Sequence, residues 1–157
     1  MIKNPGRVED AFISLADFAP TFLELAGIEP QYRMCGHSLC KFLNDEKPEN
    51  WRTEMYSQSN GNEIYGIQRA VWNKKWKYVF NTFDYDELYD LENDPGELHN
   101  LIYGPNPQDG EYSNIVREMC HKMWLFAYEN HDTCVNPYIM TALAPFGPGI
   151  IMDDVHL

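Results

Sequence analysis

The chain has 157 residues, 44% hydrophobic and 14% aromatic, with a formal net charge of −12. Such a length suits one ordinary domain able to bury about 70% of its unfolded surface, and ten Tyr, eight Phe and four Trp exclude a disordered solvating tail. Twenty-four acidic against twelve basic residues exclude a nucleic-acid or anionic-membrane partner, since both demand clustered Lys and Arg.

The first element in chain order is "SLADFAPTFLELAGIEP". Asp17 stands where a helix cap belongs, and Phe18, Phe22 and Leu25 recur on one face at helical spacing. Gly27 ends the helix as a left-handed cap, with Pro30 beyond it. "GHSLCKFLND" predicts a shorter second helix, capped by Ser38 and burying Leu39, Phe42 and Leu43. "EKPEN" is a polar connector.

From residue 51 the period changes. "RTEMYSQ", "YGIQRAVWN", "KWKYVFN" and "DELYDLE" are short, rich in β-branched and aromatic residues, and punctuated by turn residues. Trp72 and Trp76 flank Asn73-Lys74-Lys75, a tight hairpin loop. Asp94-Pro95-Gly96-Glu97 reads as a helix start, with Asp94 capping and Pro95 at the first helical position. "SNIVREMCHKMWLFAYEN" is the second strong helix. Its face of Ile115, Met119, Met123 and Phe126 or Ala127 is the natural cover for the sheet. The expected fold class is α+β, a three- to four-stranded antiparallel sheet covered by a C-terminal helix and preceded by helices. Residues 131–157 form an apolar tail broken by Pro137, Pro145, Pro148, Gly147 and Gly149, which needs a surface to dock on.

Four candidate chemistries stand out. The acidic run Asp84, Asp86, Glu87, Asp90, Glu92, Asp94 and Glu97 offers oxygen ligands suited to calcium. An EF-hand loop from Asp84 fails, however, because Leu88, Tyr89 and Pro95 occupy ligand and glycine positions. Outward strand residues and a cap are the reading preferred for it. Cys35, His37, Cys40, Cys120, His121, His131 and Cys134 are zinc-ligand types, but no Cys-x-x-Cys pair occurs. Small thiols and surface imidazoles account for them, and reduced thiols point to a cytoplasmic chain. Adjacent Asp153 and Asp154 near the end read as a loose acidic tail. Finally, Asn60, Asn62, Glu63, Gln68 and Arg69 crowd one Gly-containing stretch, a set suited to a polyhydroxylated or anionic ligand. The alternative is a polar hairpin with Arg69 paired to the acidic strand. No Gly-x-Ser-x-Gly elbow, phosphate-cradling loop or His-Glu-x-x-His is present.

"WKYVFNTFDYDELYDLENDPGELHNL" resembles the carboxy-terminal subdomain of the sulfatase family, through Trp76-Lys77-Tyr78, Glu87 to Leu91, Asp94, Pro95, Glu97, Asn100 and Leu101. "SLADFAPTFLELAGI" resembles the family's late helix, and "GHSLCKFL" the Gly-x-Ser-Leu segment after it. The resemblance implies that residues 1–50 are the tail end of an α/β catalytic domain, and that 51–130 form the C-terminal subdomain. It also implies a sulfuric ester hydrolase whose formylglycine nucleophile lies in a Cys/Ser-x-Pro-x-Arg motif with calcium nearby. No cysteine here sits in such a motif: Cys35, Cys40 and Cys120 lack Pro two residues on, and Pro137 is one place too late for Cys134. The chain alone is therefore expected to be inactive and to need no cofactor of its own, with calcium belonging to the complete sulfatase. Its expected partners are the sulfatase catalytic domain and, in the complete enzyme, a sulfated small molecule or glycan. The resemblance places Asn62, Glu63, Gln68 and Arg69 on the substrate side. A free-standing binding or assembly module derived from a sulfatase is the alternative, and a phosphate or phosphonate esterase of the same superfamily is a third.

Overall fold

The computed structural model describes residues 2–61, 66–82, 84–103 and 110–135. They fall into two compact units, Met1–Thr53 and Glu54–Leu157.

In the first unit a 3-10 turn, Leu15–Asp17, runs into helix α1, Phe18–Leu25. Ser14 caps the turn, and the Asp17 carboxylate returns to the Ser14 N–H to complete a capping box. Asp17 makes no side-chain cap bond to α1 itself, which corrects the expectation that it caps the helix. Its carboxylate is committed backwards and sideways instead. Gly27, at φ 68, ends α1 as expected, and the Ile28 N–H reaches the Leu23 carbonyl at 2.9 Å while the Gly27 N–H reaches Glu24 at 3.0 Å. That pair of bonds is a Schellman ending. Helix α2 is a single turn, Cys40–Leu43. Ser38 Oγ accepts the Cys40 N–H at 3.2 Å, while Leu39, Phe42 and Leu43 are only half-buried.

The interior of this unit is polar. Asp17 and Thr21, one helical turn apart, are buried. Thr21 Oγ1 donates to the Asp17 carbonyl at 2.5 Å and accepts the Leu39 N–H at 2.9 Å. Asp17 accepts the His37 N–H at 2.8 Å and takes both Arg52 terminal nitrogens at 2.8 and 2.6 Å. Gly36 lies so close to the Ala16 carbonyl that a Cβ there would stand 2.0 Å from its oxygen. The apolar face of α1 points away from all this: Phe18, Phe22 and Leu25 are 46%, 66% and 63% exposed.

In the second unit β1 (Met55–Ser59), β2 (Gln68–Trp72), β3 (Trp76–Asn81) and β4 (Glu87–Asp90) form one antiparallel sheet in sequence order. The β2–β3 hairpin closes as expected. Asn73 Oδ1 accepts the Lys75 and Trp76 N–H groups at 2.8 and 2.7 Å, an Asx-type turn. Alternate residues Val71, Tyr78, Phe80 and Leu88 meet helix α3, Ser113–Glu129. The helix buries Val116, Met119, Cys120, Met123 and Ala127, so Val116 replaces Ile115 on the predicted face and Ile115 packs at its margin. Tyr56 of β1 stacks on Phe126 with centroids 4.0 Å apart.

Asp94-Pro95-Gly96-Glu97 does not begin a helix. Asp94 Oδ2 accepts the N–H groups of Leu98 and His99, both at 2.8 Å, and Glu97 takes a left-handed φ of 54. A left-handed residue at that point turns the chain out of the right-handed spiral. Asn100 then lies along β4: its Oδ1 accepts the Leu88 N–H at 3.1 Å and its Nδ2 donates to the Asp86 carbonyl at 3.0 Å. Leu101 N–H adds a bond to the Leu88 carbonyl at 2.9 Å. The outer edge of the sheet is thereby occupied.

Candidate functional site

The acidic run is structural in its geometry. Asp90 Oδ1 accepts the Glu92 and Asn93 N–H groups at 3.1 and 3.2 Å. Asn93 holds the Asp90 carboxyl below its usual range, chiefly by a side-chain hydrogen bond, and the Leu98 and His99 N–H groups do the same for Asp94. Asp86 takes the buried Tyr78 hydroxyl at 2.6 Å and the Asn81 N–H at 3.0 Å. Burial pushes the Asp86 carboxyl up, and with it the Tyr78 phenol and the Cys120 thiol. Among the described residues no group of three or more His, Cys, Asp or Glu converges on a common point. These residues do not fit calcium, whose six to eight oxygen ligands need such convergence.

Of the four substrate-side candidates, Asn62 and Glu63 lie outside the described residues. Gln68 and Arg69 are neighbours on β2, and strand alternation sends them to opposite faces. Gln68 is exposed and donates to Asn81 Oδ1 at 2.6 Å. Asn81 Nδ2 donates to Glu87 Oε1 at 3.0 Å, and the Tyr89 hydroxyl to Glu87 Oε2 at 2.8 Å. A polar row of Gln68, Asn81, Glu87 and Tyr89 thus crosses β2, β3 and β4 on the face away from α3.

Arg69 faces the other way and is 4% exposed. Its Nε and Nη2 grip Asp132 at 2.6 and 3.0 Å. Nη1 donates to the Ser59 and Gln68 carbonyls at 3.0 and 2.8 Å, and Nη2 also donates to Asn60 Oδ1 at 2.9 Å. A guanidinium has five N–H donors, and these five bonds engage all of them. The ion-pair partner is therefore Asp132, beyond α3, and not the acidic strand. Hydrogen bonds from Arg69 hold the Asp132 carboxyl below its usual range. No local pattern links the two residues, which are 63 positions apart. Asp132 itself carries one readable signal, its place three residues past the last helical turn.

Residue chemistry does not mark Asn81, a lone amide in turn-rich sequence with no spacing signature, and Asn100 is marked only by the family motif. All four cysteines are free thiols, with Cys40 and Cys120 buried. Among the described residues no helix is long and apolar enough to cross a membrane.

Residues 2–128 match the family model for N-sulphoglucosamine sulphohydrolase, C-terminal. An uncharacterized Haemophilus influenzae protein is 33% identical over 115 residues, which is 73% of this chain and 56% of that protein. An N-acetylglucosamine-6-O-sulfatase of Bacteroides thetaiotaomicron is 32% identical over 123 residues, 73% of this chain and 21% of the relative. The crystal structure of the phosphonate monoester hydrolase of Agrobacterium radiobacter superposes with a TM-score of 0.70 at 25% identity, covering 79% of this chain and 26% of that one.

Proposed function

The chain belongs to the sulfatases, as a C-terminal domain of the N-sulphoglucosamine sulphohydrolase type, and from that premise we propose that it serves as the C-terminal portion of a sulfuric ester hydrolase. In this role it supplies scaffold and one border of the substrate cleft, while the nucleophile and calcium sit in a catalytic domain it leans on. One observation carries the reading: helix α1 buries its polar side and exposes its apolar one, Phe22 at 66% and Leu25 at 63%. A contiguous apolar face of that kind marks a surface meant to be covered. The chain's share of its relatives, 56% of one and 21% of another, leaves room for the covering domain.

In this arrangement residues 1–50 complete the catalytic domain and 51–130 form the C-terminal subdomain; of the tail assigned to 131–157, residues 136–157 lie outside the described residues. Asn62, Glu63, Gln68 and Arg69 belong to the substrate side, with Gln68 exposed and Arg69, its donors engaged by Asp132, Ser59, Asn60 and Gln68, acting by position. The name of the Bacteroides relative supports a sulfated sugar as the substrate class, and the free thiols support a reducing, cytoplasmic setting.

Incubating the purified chain with an aryl sulfate and calcium tests the division of labour. Hydrolysis at the buffer rate is expected; turnover well above it overturns the reading. In parallel, an environment-sensitive dye should bind the chain and lose that binding in the F22E/L25E variant. A phosphonate ester substrate has one observation in its favour, the TM-score of 0.70 to a phosphonate monoester hydrolase. An aryl phosphonate therefore belongs beside the aryl sulfate in any assay of the complete enzyme.

A further inference from the structure

We propose that Asp132 is a positioning residue which, through Arg69, fixes where the β1–β2 connection leaves the sheet. The functional consequence rests on the substrate-side reading of that connection; the clamp itself does not.

Three features of the geometry lead there. First, the five acceptors around the Arg69 guanidinium divide cleanly. Asp132 supplies two of them and their only negative charge, while Ser59, Asn60 and Gln68 supply the rest. Those three residues are the two ends of the connection, since Ser59 pairs with Gln68 in the sheet. Second, the guanidinium is buried, so a neutral residue at 132 would leave an uncompensated charge. That charge would be drawn toward water, pulling Nη1 and Nη2 off Ser59 and Asn60.

Third, Asp132 is itself held in place. Its N–H reaches the Ala127 carbonyl at 2.8 Å and the His131 N–H reaches Tyr128 at 3.3 Å, with His131 at a left-handed φ of 56. This is a Schellman ending built on histidine in place of glycine. The free oxygen geometry is closed by Cys134, whose N–H donates to Asp132 Oδ1 at 3.1 Å. The end of α3 thus sets the carboxylate, the carboxylate sets the guanidinium, and the guanidinium sets the mouth of the loop. The two-pronged hold on Asp132 is planar, forked recognition that an ammonium cannot supply.

The test is site-resolved amide exchange on the 157-residue chain, comparing wild type with D132N, D132E and R69K. D132N and R69K are expected to speed exchange at residues 59–61 at least tenfold while Val79 and Leu88 change less than twofold. D132E, which keeps the charge, should recover most of the protection. Unchanged exchange at 59–61 in D132N, or a rise at Val79 and Leu88 equal to that at 59–61 in D132N or R69K, overturns the clamp. Should D132N fail to fold, R69K carries the same comparison, with D132E as the charge-keeping control. Titration of the wild type with glucosamine 6-sulfate separates the two claims: shifts of the amides at 59–61 and 66–68 are expected. A clamp confirmed by exchange with no such shifts would retain Asp132 as the anchor and sink the substrate-side reading.

Discussion

Asp17 and Arg52, 35 positions apart, form a two-pronged ion pair whose carboxylate has no exposed surface, with contacts of 2.6 and 2.8 Å. Burial alone would raise the Asp17 carboxyl, but Arg52 and the N–H groups of Ser14 and His37 outweigh it and hold the group below its ordinary value. Replacing Asp17 with Asn leaves Arg52 unpaired beside Trp51, over whose ring it sits at 4.8 Å. We expect a loss of about 3 kcal/mol, typical of breaking a buried pair, read by urea unfolding with tryptophan fluorescence. Because the folded pKa is lowered, this stabilisation is present above the unfolded carboxylate pKa of about 3.9. It is lost as pH falls through the folded value, and the D17N variant should lack that acid limb.

Asp86 carries the opposite sign. Burial raises its folded pKa, so its ionisation costs stability as pH rises from about 3.9 toward the folded value. Below that window the group is neutral in both states and the cost vanishes. The difference in urea midpoint between wild type and D86N should therefore change across this window and be flat below it. A difference that is constant with pH would show that Asp86 is not buried against Tyr78.

Gly36 should tolerate no side chain. An added Cβ would meet the Ala16 carbonyl oxygen at 2.0 Å, and backbone cannot yield as a side chain can. G36A is expected to cost about 3 kcal/mol, the upper end of overpacking, and to broaden the Trp51 emission transition.

Asn100 replaces a strand with an amide. N100A removes the acceptor of the Leu88 and Ile102 N–H groups and the donor to the Asp86 carbonyl. A loss of about 1–3 kcal/mol follows from leaving such groups unpaired. Amide exchange at Leu88 should rise ahead of that at Val71.

The sheet was legible because its strands alternate and its hairpin carries Asn73; the covering helix was legible because its apolar residues recur at helical spacing. What sequence could not show was direction. Phe18, Phe22 and Leu25 mark an apolar face correctly, yet spacing says nothing about whether this chain covers it. The polar residues Asp17 and Thr21 fill the space instead, because their partners Arg52 and Leu39 arrive from 35 and 18 positions away. The turn at Asp94 shows a different limit. Cap residues serve a helix start and a tight turn alike, and the left-handed Glu97 decides between them. Arg69 combines both limits, being a polar residue whose orientation and distant partner, Asp132, are set only by the folded sheet and helix.

The amide of Asn100 has a consequence for association. A sheet recruits a foreign strand only where its rim offers vacant donors and acceptors, and beside Leu88 that rim is already taken within the same molecule. Sideways growth through the β4 rim, whether a swapped strand between copies or the first step toward a fibril, therefore requires the Asn100 amide to let go of Leu88 first.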